Sequence, residues 1–167
     1  MESLDYDSRQ IKKSTILNLA TMGFIGNATN LVITGPTGAG KTYLACALGI
    51  EACKQTYRVM YIRMPDLMRN FENLRENLRE LTKYRKRMGN YQLLILDEWL
   101  NYKITEKDAK ILYELFEQRS GNNPTIFVKG FILSVLFITS IFEKNIYEIN
   151  SLFLGFIIAS IPLIVDV

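Results

Sequence analysis

Eight consecutive residues, Gly35-Pro36-Thr37-Gly38-Ala39-Gly40-Lys41-Thr42, follow the pattern G-x-x-x-x-G-K-[ST]. Glycines let a backbone curl so that successive N–H groups converge on phosphate oxygens, and a helix opening there aims its positive end at the anion. Lys41 supplies a point charge for the outer phosphates. The Thr42 hydroxyl suits Mg2+, an ion that keeps several waters and takes one or two protein oxygens beside the phosphates. Tyr43 follows directly and joins the loop as a candidate nucleotide contact. About 55 residues downstream, Leu93-Leu94-Ile95-Leu96-Asp97-Glu98 sets four aliphatic residues before two carboxylates. Alone, that pattern also describes a buried strand meeting a solvated loop. Paired with the phosphate loop it reads as a Walker B strand, with Asp97 orienting Mg2+ through its water shell and Glu98 polarising an attacking water as general base.

Such groups need strands to carry them and helices to cover the strands. Leu31–Thr34 is a short apolar run ending in Gly-Pro, and Lys41–Lys54 has helical spacing. Arg58–Ile62 reads as a second strand. Pro65-Asp66 then opens a helix that Gly89 is placed to stop, with Leu67, Phe71, Leu74, Leu78, Leu81 and Met88 on one face. Leu93–Leu96 is the third strand, expected to deliver the two carboxylates at its C-terminal end beside the phosphate loop. Thr105 and Asp108 form a capping box before a helix bearing Ile111, Leu112, Leu115 and Phe116, and Thr125–Val128 is the fourth strand. Strands alternating with helices at this spacing give an α/β fold: a parallel sheet in three layers, joined by right-handed crossovers. Trp99 reads as a core anchor and is assigned no chemistry.

The 167 residues suffice for one packed domain, and 49% apolar with 22% charged residues exclude disorder and low-complexity readings. Histidine is absent, which removes Ser-His-Asp and Cys-His triads, imidazole metal sites and His-based pH switching. Cys46 and Cys53 lie in one helical stretch and read as reduced core residues of a cytoplasmic chain. The first residues carry Glu2, Asp5 and Asp7 without a long apolar run, so no secretory or transit peptide is expected.

The net charge is +3, and its distribution is uneven. Between Leu67 and Met88, Arg69, Arg75, Arg79, Lys83, Arg85, Lys86 and Arg87 face Glu72, Glu76 and Glu80, a net +4. Ion pairs at helical spacing account for part of this, and the dipole favours cations at a helix C-terminus. The sharper alternative is contact with a DNA backbone by Arg79, Lys83, Arg85, Lys86 and Arg87, which makes affinity fall with salt. After Val128 the composition changes. Residues 1–128 read as the nucleotide-binding core and 129–167 as an apolar tail with runs at Phe131–Phe142 and Leu152–Val165, of 12 and 14 residues. Each falls short of the roughly 20 residues of a membrane-spanning helix, although a re-entrant hairpin of the two runs is an alternative. Ile146–Ile149 is a candidate substitute strand.

Five segments carry a resemblance: Asn30-Leu-Val-Ile-Thr-Gly-Pro-Thr-Gly-Ala-Gly-Lys-Thr42, Ala45-Cys-Ala-Leu-Gly-Ile-Glu-Ala-Cys53, Arg63-Met-Pro-Asp-Leu67, Leu93-Leu-Ile-Leu-Asp-Glu-Trp-Leu100 and Thr125-Ile-Phe127. Together they resemble the IstB/DnaC-like ATP-binding proteins of the AAA+ class, which are insertion-sequence transposition helpers and helicase loaders. The similarity runs from about Leu4 to Val128 and favours the transposition helper. The resemblance implies ATP and Mg2+ as cofactors, with Lys41, Thr42, Asp97 and Glu98 at the hydrolytic positions. It also implies DNA and a transposase as partners, and homo-oligomeric assembly. Two departures stand out. Lys129-Gly130 occupies the strand end where the family typically has Ser-Gln to sense the γ-phosphate, and the later arginine-bearing segment is not recognisable, as after a truncation or frameshift. Loss of the arginine removes a factor of about 10³–10⁵ in related P-loop enzymes, so a nucleotide-binding remnant without turnover is the alternative to an ATPase.

Overall fold

The computed structural model describes residues 13–99, 105–130 and 163–166. The apolar runs form β1 (Leu31–Thr34), β2 (Val59–Arg63), β3 (Leu93–Asp97) and β4 (Thr125–Val128), and β5 (Leu163–Asp166) adds a strand that the sequence does not single out. Every pairing is parallel, in the order β2-β3-β4-β1-β5. Parallel neighbours require crossovers. These are helix α3 (Lys41–Lys54) after β1, α4 (Met64–Leu74) and α5 (Leu78–Gly89) after β2, and α6 (Glu106–Arg119) after β3. Two short helices, α1 (Lys13–Ala20) and α2 (Gly23–Gly26), precede β1.

Every residue of β3 and β4 is buried, as expected for strands covered on both faces. Alternation along the strands divides the core. Leu31, Ile33, Leu93, Ile95, Ile126 and Val128 pack with α1, α2 and α3, whereas Leu94, Leu96 and Phe127 meet Leu67, Phe71, Leu112 and Leu115 of α4 and α6. A Cβ at Gly49 would lie 2.8 Å from Ile95 Cδ1, so α3 approaches β3 this closely because position 49 has no side chain. Trp99 is buried, edge-on to Phe116 with ring centroids 5.6 Å apart, in agreement with its reading as an anchor. The Thr105–Asp108 capping box is present.

Several expectations need correction. The helix expected from Pro65 to Gly89 is two helices, because the chain turns at Arg75–Asn77 and the Asn77 side chain accepts a hydrogen bond from Glu80 N–H to cap α5. The break rotates α5, and Leu78 is 73% exposed instead of sharing the apolar face. The sheet sets β4 between β3 and β1, an order that the sequence reading leaves open. Cys46 is half-buried and Cys53 is exposed, both unpaired, so Cys53 is not a core residue. The Ile146–Ile149 segment and the run Phe131–Phe142 lie outside the described residues. The end of the second apolar run, Leu163–Val165, forms part of β5 against β1. Among the described residues no helix is long and apolar enough to cross a membrane.

One buried cation ties the core together. The Arg119 guanidinium, on a side chain 2% exposed, donates to Thr125 Oγ1 and to the carbonyls of Met88, Gly89, Tyr91 and Pro124 at 2.6–3.2 Å. Burial lowers its pKa to about 10, so it stays charged at neutral pH.

Candidate functional site

The loop between β1 and α3 has left-handed backbone at Gly38 (φ 83°) and at Gly40 (φ 86°), where α3 begins. A Cβ at Gly38 would meet nothing within 4 Å, so the need for glycine there is conformational and not steric. Lys41 folds back and its Nζ donates to the Pro36 carbonyl at 2.6 Å, keeping the ammonium over the loop. Pro36, Thr37, Gly38 and Tyr43 are exposed, and Ala39, Gly40 and Lys41 are half-exposed around the same turn. Gly35 alone is buried there, at the end of β1.

The strand β3 brings Asp97 to this loop across the intervening β4. Thr42 Oγ1 donates to Asp97 Oδ2 at 2.8 Å, and Asp97 itself is 7% exposed. Parity explains the meeting: Leu93, Ile95 and Asp97 alternate onto the face covered by α3, whose first turn carries Thr42. The same parity on β2 brings in a residue that sequence reading missed. Tyr61 OH also donates to Asp97 Oδ2, at 2.8 Å. Its burial, followed by this hydrogen bond and the carboxylate charge, pushes the phenol pKa well above its ordinary value. Burial first, then Asp97, likewise raises the nearby Cys46 thiol. No local sequence signal marks Tyr61, since only the register pairing Tyr61 with Ile95 places it two positions from Asp97.

Glu98 has φ 56°, uncommon for a residue with a side chain and frequent at functional sites. Its N–H donates to Asp97 Oδ1 at 2.8 Å, and the next residue is fixed by Trp99 N–H donating to the Val128 carbonyl. The Glu98 carboxylate lies 3.8 Å from the Arg63 guanidinium, whose closer partner is Asp66 at 2.8 Å. The N–H of Lys129 donates to the Ile33 carbonyl, so position 129 stands on the same rim as the loop, between the ends of β1 and β3. Its half-buried ammonium has a lowered pKa.

The cations proposed for DNA separate. Arg79, Lys83, Lys86 and Arg87 line one concave surface, joined by Arg58, which sequence reading did not include. Arg85 turns the other way and pairs with Glu114 of α6.

A glycine-shaped loop at the end of a central parallel strand, its helix, and a carboxylate from a non-adjacent strand define a P-loop nucleotide-binding domain of the AAA+ type. Residues 1–133 match the family model for IstB-like ATP binding protein, and the chain belongs to that family. Relatives include an insertion-sequence ATP-binding protein of Sinorhizobium fredii, 37% identical over 75% of this chain and 51% of its own length. The insertion sequence IS1162 ATP-binding protein of Pseudomonas fluorescens is 34% identical over 75% of this chain and 54% of its own length. The chain thus spans about half the length of these relatives. Among solved structures, the DnaC helicase loader aligns with TM-score 0.72 at 19% identity, covering 96% of this chain and 94% of the loader. AMPPCP-bound DnaA from Aquifex aeolicus aligns with TM-score 0.68 at 20% identity over 94% of this chain and 47% of DnaA. At these identities the likeness is one of fold.

Proposed function

We propose that the chain binds Mg-ATP at the Gly35–Thr42 loop with Tyr43 beside it, and serves as a cytoplasmic insertion-sequence transposition helper acting with DNA and a transposase. The observation that carries the nucleotide site is the 2.8 Å hydrogen bond between Thr42 and Asp97, residues 55 positions apart meeting at the mouth of the loop. Both present hard oxygen donors, which fits Mg2+ bound through water and phosphate. Thr42 and Asp97 offer two of the oxygens Mg2+ takes, and nucleotide phosphates and water would supply the others. Bound Mg2+ supplies charge neutralisation on the phosphate oxygens.

Their positions support the following roles for the side chains. Lys41 would exchange the Pro36 carbonyl for a phosphate oxygen, and the loop N–H groups would hold the others. Asp97, held by hydrogen bonds from Thr42 and Tyr61, would orient the water shell of Mg2+. Glu98, 3.8 Å from the Arg63 guanidinium, would accept a proton from the attacking water as general base. A second reading, nucleotide binding with little turnover, is favoured by one observation: Lys129-Gly130, at the rim of the site, stands where the family typically has Ser-Gln, and Lys129 is half-buried. Homo-oligomeric assembly is part of the proposal, by family resemblance.

Tyr61→Phe tests the metal side of this arrangement. It is expected to cost about 1 kcal/mol of stability, one hydrogen bond, while leaving the fold intact. The Mg2+ concentration giving half-maximal binding of a fluorescent ATP analogue should rise several-fold. An unchanged Mg2+ requirement would mean that the hydroxyl does not position Asp97, and Mg2+-independent binding would overturn the metal role of Thr42 and Asp97.

A further inference from the structure

The basic residues around α5 form a groove that lies away from the nucleotide loop. Arg58, Arg79, Lys83, Lys86 and Arg87 line one concave surface of about 740 Å³, and no carboxylate is among its lining residues. All five side chains are exposed. Arg58 is held at the rim by donating to the Asn90 carbonyl at 3.1 Å, and Arg87 lies over the Tyr84 ring at 5.0 Å. Glu80 approaches Lys83 at 3.8 Å.

The location follows from the sheet. Arg58 precedes β2, and Asn90 precedes β3, so the groove sits at the N-terminal ends of the parallel strands. The phosphate loop and Asp97 lie at the C-terminal ends. Five residues of β3 separate the two rims by about 15 Å at about 3.3 Å per residue. The groove and the phosphate loop are therefore separate surfaces at opposite ends of the sheet.

The chemistry selects the ligand. Here exposed cations are spread along a groove, and the three arginines present planar forks suited to phosphate. We infer that this groove, with Arg58 in it and Arg85 outside it, is the contact surface for the phosphate backbone of duplex DNA. The inference rests on the DNA-directed part of the proposed function and is independent of ATP binding.

Fluorescence anisotropy with a short labelled duplex of arbitrary sequence tests it. Five phosphate contacts give a slope of about −4.5 in log K against log salt, about a 500-fold loss between 50 and 200 mM. The double variant Arg58→Ala/Lys86→Ala should lose about two units of slope, reducing that loss to about 40-fold, and bind more weakly at low salt. Its ATP binding should be unchanged. Arg85→Ala should retain the wild-type slope, and Lys41→Ala should bind the duplex normally while losing ATP. An unchanged affinity and slope in the double variant would overturn the inference, as would preference for poly-glutamate over duplex. If the wild type binds the duplex through Arg58 and Lys86 but takes no ATP, the nucleotide reading fails and the groove stands.

Discussion

Arg119→Met is expected to destabilise the protein by about 3–5 kcal/mol, the largest stability effect of any single substitution proposed for this chain. Methionine fills much of the arginine's volume but donates nothing; Gly89 and Pro124 keep Asn123 Nδ2 and the Leu94 N–H as donors, whereas the Met88 and Tyr91 carbonyls lose the guanidinium. Each buried acceptor deprived of its partner costs about 1–3 kcal/mol, partly recovered by relaxation or water. The consequences spread because those carbonyls belong to the end of α5 and to the entries of β3 and β4. Arg119→Lys should recover little, since one ammonium cannot reach acceptors spread around a planar fork. Urea denaturation measures the loss, and thermal melting should fall by about 10 °C or more. A loss under about 1 kcal/mol would mean that water replaces the guanidinium freely.

Glu98→Gln should separate binding from turnover. The amide keeps the shape of the side chain but cannot accept the water's proton, so ATP-dependent phosphate release should fall about 10²–10⁴-fold relative to wild type. Nucleotide affinity should be kept, because Lys41, Thr42 and Asp97 are untouched. A rate equal to wild type would remove Glu98 from the role of general base. The wild-type rate itself distinguishes an ATPase from a nucleotide-binding protein with Lys129 at the rim. Phosphate release above background supports the former, and tight binding without release supports the latter.

Much of the fold was legible because local signals agreed with each other. The four short apolar runs became strands, Thr105 and Asp108 formed the capping box expected of them, and the α3 boundaries matched. What escaped depended on tertiary context. The turn at Arg75–Asn77 sits inside a continuous helical pattern, and the periodicity placing Leu78 inward gave no sign that α5 is rotated. The insertion of β4 between β1 and β3 is a matter of sheet order, which spacing along the chain does not encode.

The candidate site shows the same division. The phosphate loop and the Asp97-Glu98 pair are consecutive in sequence and could be read as motifs. Tyr61 reaches Asp97 only through strand register, and Arg58 joins Lys86 only because two strand entries lie side by side. In the sequence, Arg119 is one more cation in the last turn of a helix. Its burial follows from the packing of α6 against α5 and the ends of β3 and β4, with no local mark in the sequence.

Thermal unfolding of the wild type and of Lys41→Ala, each with and without saturating Mg-ATP, tests the nucleotide site most directly. At about 100 times the dissociation constant a ligand adds about 2.7 kcal/mol to stability, or some 5–10 °C for a chain of this size. The expected result is that stabilisation in the wild type, dependent on Mg2+, and little or none in Lys41→Ala, whose melting without nucleotide stays near wild type. No shift in the wild type, or an equal shift in Lys41→Ala, would contradict ATP binding at the Gly35–Thr42 loop.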